Sequence, residues 1–257
     1  MHNWTRGSGV VIGGISAGRT AQLPPTGERT VPGLSHENYW FRRHQAAYLA
    51  LAPLCAKAIV LEAGCGEGYG AAVALDAGAS TVVALDYDAD AVEHARGTYG
   101  VPAVLGNLVA LPFAAGSFDV ALSLQTIEHL WDQRTFLVEC ARVLRPGGRL
   151  ALTTPNRLTF PPDNPFHAHE LDAADLKALV GAGPFRIETL DGLRHGDRIV
   201  AFEAGHGDLV AAQLATEPAG WPADLTAFVA GVATDDFLLS GDDIDASLDL
   251  RLVAVRR

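Results

Sequence analysis

The feature that most constrains the fold is a glycine-rich turn in residues 60–70, at the end of an apolar run over residues 58–62. Glycine occupies alternate positions of this turn, at residues 64, 66, 68 and 70. Because glycine lacks a Cβ atom, such a backbone can turn sharply and pass close to a ligand at the carboxyl end of a strand. The pattern therefore predicts a buried strand, a ligand-binding turn and then a helix.

An acidic residue ends the next apolar run. Asp86 lies 86 − 62 = 24 residues beyond Glu62, and a carboxylate there can accept hydrogen bonds from both hydroxyls of an adenosine ribose. The glycine spacing differs from the G-x-G-x-x-G of dinucleotide-binding turns. Glu62 would repel a pyrophosphate but attract an α-ammonium group. S-adenosylmethionine carries that group and no phosphate, so these residues predict it as the cofactor.

Strands and helices alternate along most of the chain. Apolar runs predict strands at residues 58–62, 81–85, 103–105, 120–123, 149–154, 185–190 and 248–255. Periodic segments predict helices at residues 36–56, 69–77, 88–99, 134–144 and 172–180. Arg-Pro-Gly-Gly at residues 145–148 predicts a turn. This alternation is typical of an α/β fold with a mostly parallel sheet.

The ends and the interruptions of this pattern suggest the domain organisation. Residues 1–25 are rich in Gly, Ser and Thr and predict a flexible arm, so we expect one domain over residues 26–257. Residues 26–57 would form an N-terminal cap over the cofactor. Residues 192–246 interrupt the alternation and are typical of a solvated helical insertion, or of a lid that forms a substrate wall before the last strand.

The charge, the apolar content and the cysteines of the chain indicate its partners and its compartment. The net charge of 19 − 30 = −11 argues against a nucleic-acid partner, and no apolar run is long enough to span a bilayer. Cys55, Cys65 and Cys140 are far apart and odd in number, so they form neither a disulfide framework nor a zinc-binding pattern. These features predict a cytoplasmic protein.

Several motifs together resemble the class I S-adenosylmethionine-dependent methyltransferases, which have a Rossmann-like fold. Residues 62–66 resemble the first motif of that family, and residues 144–148 resemble its late turn. The resemblance implies that Asp86 binds the ribose, that Tyr87 stacks beside adenine and that Asn107 accepts from the adenine amino group. It also implies a seven-stranded, mostly parallel sheet with an antiparallel last strand and a helical insertion before that strand.

The residues expected to contact the cofactor follow the carboxyl ends of the first four strands, with one arginine from the first helix. They are Glu62, Gly64, Cys65, Gly66, Gly68, Asp86, Tyr87, Asn107, Leu108, Gln125 and Arg43. Arg42 or Arg43 would pair with the carboxylate of the methionine moiety, or would be a charge on the helix surface.

A second group of polar residues follows the fourth and fifth strands. Gln125, Glu128 and His129 come after the fourth strand, and His167 comes after the fifth. The first three resemble the E-x-x-E-H of ubiquinone-pathway O-methyltransferases and of the RNA 2′-O-methyltransferases that modify the 3′ ends of small RNAs. In those families such side chains, with a later His, hold a divalent cation. Gln125 replaces the first Glu and removes a charge.

Three roles for this group stay open. Glu128, His129 and His167 would ligate Mg²⁺ or Mn²⁺, which would activate an acceptor hydroxyl. Alternatively, His129 would be a metal-free general base. In the third interpretation the Glu-His pair has a structural or cofactor-contacting role.

The acceptor is suggested by a second resemblance. Segments at residues 26–32, 37–44, 61–70, 128–133, 154–157 and 243–250 closely resemble actinobacterial methyltransferases linked to methylglucose lipopolysaccharide synthesis. This implies O-methylation of a sugar hydroxyl in a glucose or α-glucan oligosaccharide, such as the 6-position. Four aromatic side chains offer flat faces for sugar rings, namely Tyr39, Trp40, Trp131 and Trp221. The alternatives are a small phenol or other metabolite as acceptor, or an inactive S-adenosylmethionine-binding partner protein.

Overall fold

A computed structural model describes Leu23 and residues 29–161 and 164–257, so the expected flexible arm at residues 1–25 lies outside the described residues except for buried Leu23. The α-helices are α1 (Asn38–Leu51), α2 (Tyr69–Asp76), α3 (Ala89–Tyr99), α4 (Gln133–Val143), α5 (Ala173–Gly181), α6 (Asp197–His206), α7 (Leu209–Leu214) and α8 (Ala223–Ala230). The strands are β1 (Ile59–Ala63), β2 (Thr81–Asp86), β3 (Ala103–Leu105), β4 (Phe118–Leu124), β5 (Leu144–Pro155), β6 (Phe185–His195), β7 (Phe237–Ser240) and β8 (Asp249–Arg256).

The strands form one sheet in the order β3-β2-β1-β4-β5-β8-β6-β7. Strands β1 to β5 pair in parallel, and β8 lies antiparallel between β5 and β6. The strand order reverses between β1 and β4, and ligands of such sheets bind at the carboxyl ends of the strands beside this point. The expected Rossmann-like α/β fold with an antiparallel last strand is confirmed.

The sheet has eight strands in the described part of the chain, so the expected seven is wrong by one. The additional strand, β7, lies within the insertion and pairs antiparallel with an extension of β6. This extension continues to His195, beyond the predicted end at residue 190. A four-residue strand leaves too little periodicity to be recognised in a sequence. The insertion is therefore mostly helical but also extends the sheet.

The turn expected at residues 145–148 is also wrong. Helix α4 ends at Val143, and β5 begins at the next residue. The register of β5 against β4 shifts between Phe118 and Val120. Gly147 has a φ of +76°, and a Cβ atom on Gly148 would lie 2.9 Å from the Arg145 carbonyl oxygen. The two glycines thus allow a bulge at the start of the strand rather than a separate turn.

Helices cover both faces of the sheet. One buried cluster includes Phe136 of α4 and Leu176 of α5, and the other includes Leu51 of α1, Ala74 of α2 and Ala95 of α3. The central parallel strands are buried on both sides, which explains their continuous apolar sequences. No α-helix in the described ranges is long and apolar enough to cross a membrane.

Candidate active site

The glycine turn lies between β1 and α2 and folds back against β2. Gly64, Gly66 and Gly68 all have positive φ angles, of +84°, +51° and +98°. The backbone N–H groups of Gly64 and Cys65 both donate to the Leu85 carbonyl oxygen, at 2.9 and 3.0 Å. Any L-residue with a side chain would be strained at these φ values, so the glycines permit this course of the backbone.

Asp86 at the end of β2 is held firmly beside this turn. Its Oδ2 atom accepts from the Gly66 N–H at 2.8 Å, and its Oδ1 atom accepts from the Asp88 N–H at 3.0 Å. The residue is 6% exposed. A carboxylate oriented by two backbone donors retains lone pairs for a ligand, as binding of a ribose requires.

A cavity of about 600 Å³ opens above the turn and Asp86. Most of the residues that the sequence assigned to the cofactor line it, namely Gly64, Cys65, Gly66, Asp86, Tyr87, Asn107, Leu108 and Gln125. Tyr87 is 84% exposed at its rim, whereas Leu108 is buried. The Asn107 Oδ1 atom accepts from the Val109 N–H at 3.0 Å, which fixes the orientation of this amide.

Glu62 and Gly68 do not line this cavity. Glu62 is fully buried, and its Oε1 atom accepts from the Tyr48 hydroxyl at 2.7 Å. Burial, with a smaller contribution from the charge of Asp86, raises the pKa of Glu62 to about 8. Gly68 allows close packing of α2 on α3, since a Cβ atom there would lie 2.8 Å from the Ala95 Cβ atom. Both residues therefore stabilise the turn without facing the cavity.

Arg43 is also placed elsewhere than expected, and it is not a helix-surface charge. Its Nε and Nη2 atoms donate to the two carboxylate oxygens of Asp249 at 2.7 and 2.6 Å. Both side chains are almost fully buried, and Arg43 does not line the cavity above the glycine turn. The bidentate pair connects α1 to β8, so the guanidinium is occupied by a structural partner.

Glu128, His129 and His167 come together at the carboxyl ends of β4 and β5. One potential ligand atom from each lies within 4.8 Å of the others. The loop carrying His167 is attached to the other two residues, because the Ala168 N–H and the His169 N–H donate to the Glu128 carbonyl oxygen at 2.8 and 3.1 Å. The three side chains that were grouped from the sequence are therefore close together in the fold.

The acidic member of this cluster is buried and hydrogen-bonded. Glu128 is 1% exposed, and its Oε2 atom accepts from the Thr154 hydroxyl at 3.1 Å. Burial raises the pKa of Glu128 to about 8, while His167 partly lowers it. The His129 Nδ1 atom lies 3.1 Å from the Phe166 carbonyl oxygen. Since a carbonyl only accepts, Nδ1 carries a proton, and in the neutral ring Nε2 is the acceptor.

A second cavity of about 720 Å³ adjoins the first, and both are lined by Gln125 and His129. Its other walls come from α1, from the loop after β5 and from residues 213–218 and Trp221 of the insertion. Gln125 lies between the cavities with a φ of +49°, a strained value for a residue with a side chain. The arrangement provides two adjoining binding spaces with the Glu128–His129–His167 cluster beside their junction.

Comparison with known proteins gives the family. A protein-family model described as a methyltransferase domain matches residues 61–152. The chain is 50% identical over 246 residues to a probable S-adenosylmethionine-dependent methyltransferase of Mycolicibacterium smegmatis, a match that covers 91% of this chain and 95% of that protein. The chain belongs to the S-adenosylmethionine-dependent methyltransferases.

Two further similarities are weaker. An O-methyltransferase of Aspergillus sclerotiorum is 35% identical over 100 residues, which cover 36% of this chain and 38% of the fungal protein. The crystal structure of an S-adenosylmethionine-dependent methyltransferase from Mesorhizobium loti matches with a TM-score of 0.60 at 18% identity, over 83% of this chain and 98% of that one. The second similarity shows the fold alone.

The first cavity of the methyltransferase suits S-adenosylmethionine. Its volume is in the range of cofactor sites, and it combines an oriented carboxylate at Asp86 with a glycine turn open to close contact. No individual role was expected from the sequence for four further residues of this wall, Arg29, Thr30, His44 and Thr126, although the first three lie within the expected cap at residues 26–57. Thr126 packs against the turn, since a Cβ atom on Gly64 would lie 2.5 Å from the Thr126 side chain, and such a long-range contact leaves no signal in the sequence. The others reach the cavity through tertiary folding.

The buried Glu62 carboxyl makes the stability of the cofactor-free methyltransferase depend on pH. Its pKa is raised from 4.5 to about 8, so the folded state keeps a proton that the unfolded state releases. The free energy of unfolding should therefore fall as the pH rises from about 5 to about 8, by up to ~4 kcal/mol from this group. Glu62→Gln has no such proton to lose, so its denaturant-unfolding free energy should depend less steeply on pH. The control Glu188→Gln changes a surface carboxylate paired with Arg149 and should follow the unmodified protein, whereas parallel curves for all three would contradict the prediction.

Proposed function

We propose that this methyltransferase methylates a sugar hydroxyl, with a divalent cation held by Glu128, His129 and His167. The observation that carries the proposal is the position of this cluster. All three side chains line the second cavity, and His129 also lines the cofactor cavity. An acceptor in the second cavity would therefore meet the methyl donor beside these residues.

The donor set fits a divalent cation. One carboxylate and two imidazoles within 4.8 Å of one another can ligate Mg²⁺ or Mn²⁺, and the imidazoles shift the preference towards Mn²⁺. Gln125 supplies no charge, and its Nε2 atom donates to the Thr153 hydroxyl at 3.2 Å. The buried Glu128 carboxylate would gain a compensating charge from the cation. When bound, such an ion lowers the pKa of a coordinated hydroxyl.

A second candidate mechanism needs no metal. The Phe166 carbonyl oxygen holds the His129 ring with its proton on Nδ1, so Nε2 can accept a proton from an acceptor hydroxyl. This geometry suits a general base as well as a ligand. In either mechanism S-adenosylmethionine supplies a methyl group on a sulfonium, and the protein contributes by aligning the acceptor oxygen for in-line displacement.

The walls of the second cavity support a hydroxylated acceptor. Two of the four aromatic residues considered for sugar contacts line it, Trp40 and Trp221, together with polar groups such as Asn164 and Thr216. The Trp221 indole is fixed because its Nε1 atom donates to the Gln213 and Thr216 carbonyl oxygens at 3.2 and 3.0 Å. Indole faces combined with hydrogen-bonding groups are a suitable surface for a sugar ring.

The other two aromatic residues are less suited to contact the acceptor. Tyr39 is completely buried, and its hydroxyl lies 2.7 Å from the His195 Nε2 atom. Trp131 is 82% exposed and lines neither cavity. The contribution of residues 213–218 to the second cavity supports a role for the insertion as a substrate wall. The fungal O-methyltransferase similarity agrees with oxygen as the methylated atom.

The test uses the full chain, methyl-labelled S-adenosylmethionine and a panel of glucose, short α-glucans and simple phenols. We expect label on the sugars, loss of labelling on chelation and recovery with Mg²⁺ or Mn²⁺. Labelling of phenols alone would overturn the sugar assignment. Undiminished sugar labelling after chelation would overturn the metal. Tight cofactor binding with no transfer to any acceptor would favour an inactive binding partner.

We also propose that the N-terminal segment caps the cofactor. Arg29 and Thr30 line both cavities, and the side chain of each contacts a residue that follows the glycine turn in the sequence. The Arg29 Nη2 atom lies 2.6 Å from the Asp88 carboxylate, and the Thr30 and Tyr69 hydroxyls are 2.9 Å apart. These contacts support a cap in which the segment lies over the cofactor.

Two truncations test this cap. Removing residues 1–35 takes away Arg29 and Thr30 but keeps α1, so cofactor binding should weaken about tenfold or more, which corresponds to ~1.4 kcal/mol. Removing residues 1–22 should leave the dissociation constant within about threefold. Calorimetry measures the affinity, and circular dichroism checks that each variant is folded. Equal affinity of the two folded variants would contradict the cap.

A further inference from the structure

The His167 ring is bracketed by two hydrogen-bonding side chains from its own loop. Its Nδ1 atom lies 2.8 Å from the Glu170 Oε1 atom, and its Nε2 atom lies 3.2 Å from the Asn164 Nδ2 atom. The His167 side chain is only 4% exposed, so contacts within the protein rather than solvent determine which ring nitrogen carries the proton. No role for Glu170 or Asn164 was expected from the sequence.

The two contacts agree on one tautomer. The Asn164 Oδ1 atom accepts from the Phe166 N–H at 3.0 Å, which orients the amide so that its NH₂ group faces His167. An amide NH₂ only donates, so Nε2 of the ring accepts. The proton of the neutral ring then resides on Nδ1 and is donated to Glu170. Nε2 thus carries the one lone pair of the ring, which accepts from Asn164 here and which a bound cation would take in place of that contact.

We propose that Glu170 is a positioning residue that fixes His167 as the Nδ1–H tautomer. It would thereby present Nε2 to the second cavity, the acceptor cavity of the proposed function. His167 lines this cavity, whereas Glu170 lines neither cavity and acts only through the ring. A carboxylate behind an imidazole fixes the orientation of the ring and increases the basicity of its opposite nitrogen. This inference rests on the proposed function, in which His167 ligates the cation.

The remaining contacts of Glu170 support this role. Among the residues that the structure describes, His167 is the one side chain hydrogen-bonded to the Glu170 carboxylate. The side chain is 16% exposed, so most of its hydration has been exchanged for this contact. A carboxylate that served only to secure the loop would not need a histidine partner, since the loop is already held by the Ala168 and His169 N–H groups.

The experiment combines a tautomer measurement with metal binding on the full chain. Nitrogen-15 NMR of the imidazoles, with His167→Gln to assign the signal, should show the Nδ1–H tautomer in the unmodified protein and a mixture in Glu170→Ala. Calorimetric Mn²⁺ affinity should fall about 10- to 100-fold in Glu170→Ala, with S-adenosylmethionine affinity unchanged. Glu170→Gln, which keeps an acceptor oxygen without the charge, should lie between the two. Glu188→Gln serves as the matched control and should change neither reading.

The outcomes separate this inference from the proposed function. An Nε2–H tautomer in the unmodified protein, or no change of tautomer in Glu170→Ala, would overturn the role of Glu170. An altered tautomer with unaltered Mn²⁺ affinity and kcat would overturn it as well. Failure of the unmodified protein to bind Mn²⁺ would instead overturn the metal site. In that case a lower kcat of Glu170→Ala at unchanged KM for the cofactor would still support positioning, and an unchanged kcat would reject it.

Discussion

Replacing His129 or His167 by alanine should lower the rate of methyl transfer about 100-fold or more while the variants stay folded and still bind the cofactor. His129 and His167 contribute two of the three potential ligand atoms of the cluster. Loss of either imidazole leaves too few protein ligands for a cation, or removes the candidate base. Single-turnover kinetics with labelled cofactor measure the rate, and calorimetry measures the affinity.

The matched control is His206→Ala. His206 lies on α6 beside Asp224, with about half of its side chain exposed, so its loss should not change the rate. Inactivity of His129→Ala without any effect of chelation would identify His129 as the general base, and the rate should then rise with pH through a histidine-like pKa. Full activity of both site variants would reject both mechanisms and leave alignment alone to explain the transfer.

The largest effect on stability is expected for Gly70→Ala at the start of α2. A Cβ atom there would overlap both the Glu62 carboxylate and the Tyr48 ring. These two side chains are buried and hydrogen-bonded to each other, so neither can move aside cheaply. Overpacking at such a point should destabilise the fold by ~3 kcal/mol or more and weaken cofactor binding, because the glycine turn is supported from here.

Gly181→Ala is the control for this change. Gly181 is the last residue of α5, and nothing lies within 4 Å of a Cβ atom placed there. Alanine is favoured over glycine in a helix, so this variant should be neutral or stabilised by up to ~1 kcal/mol. Urea unfolding followed by circular dichroism measures both variants. Equal stability of Gly70→Ala and the unmodified chain would mean that the Glu62–Tyr48 pair can rearrange.

Local features of the sequence determined the cofactor end of the site. A strand, a glycine turn and an acidic residue after the next strand are placed by short-range connectivity, because the carboxyl ends of neighbouring parallel strands share one edge of the sheet. The position of Asp86 beside the glycine turn could therefore be predicted from the sequence, as could the position of Glu128 and His129 after β4. The same rule brought His167, after β5, to the cluster.

Tertiary structure decided what each charged side chain does. Arg43 pairs with Asp249, 206 positions along the chain, and no periodicity within α1 distinguishes this partner from a bound carboxylate. Glu62 was expected beside the ammonium group, yet it lies beneath the turn against Tyr48. Both assignments depended on which side of the backbone the side chain faces, and long-range packing sets this.

The acceptor side was decided almost wholly by the fold. Residues 213–218 and Trp221 come to the second cavity from an insertion whose helices and short β7 carry weak periodicity. Their position follows from how that insertion packs on α1, through contacts such as those among Tyr39, Ile199 and Val229. The sequence by itself determined the alternation of strands and helices, the glycine turn and the polar residues at the strand ends, because these follow from local pattern and connectivity. Burial, ion pairing and the shape of the acceptor cavity depend on contacts between segments that are distant in the sequence, and only the tertiary structure sets these contacts.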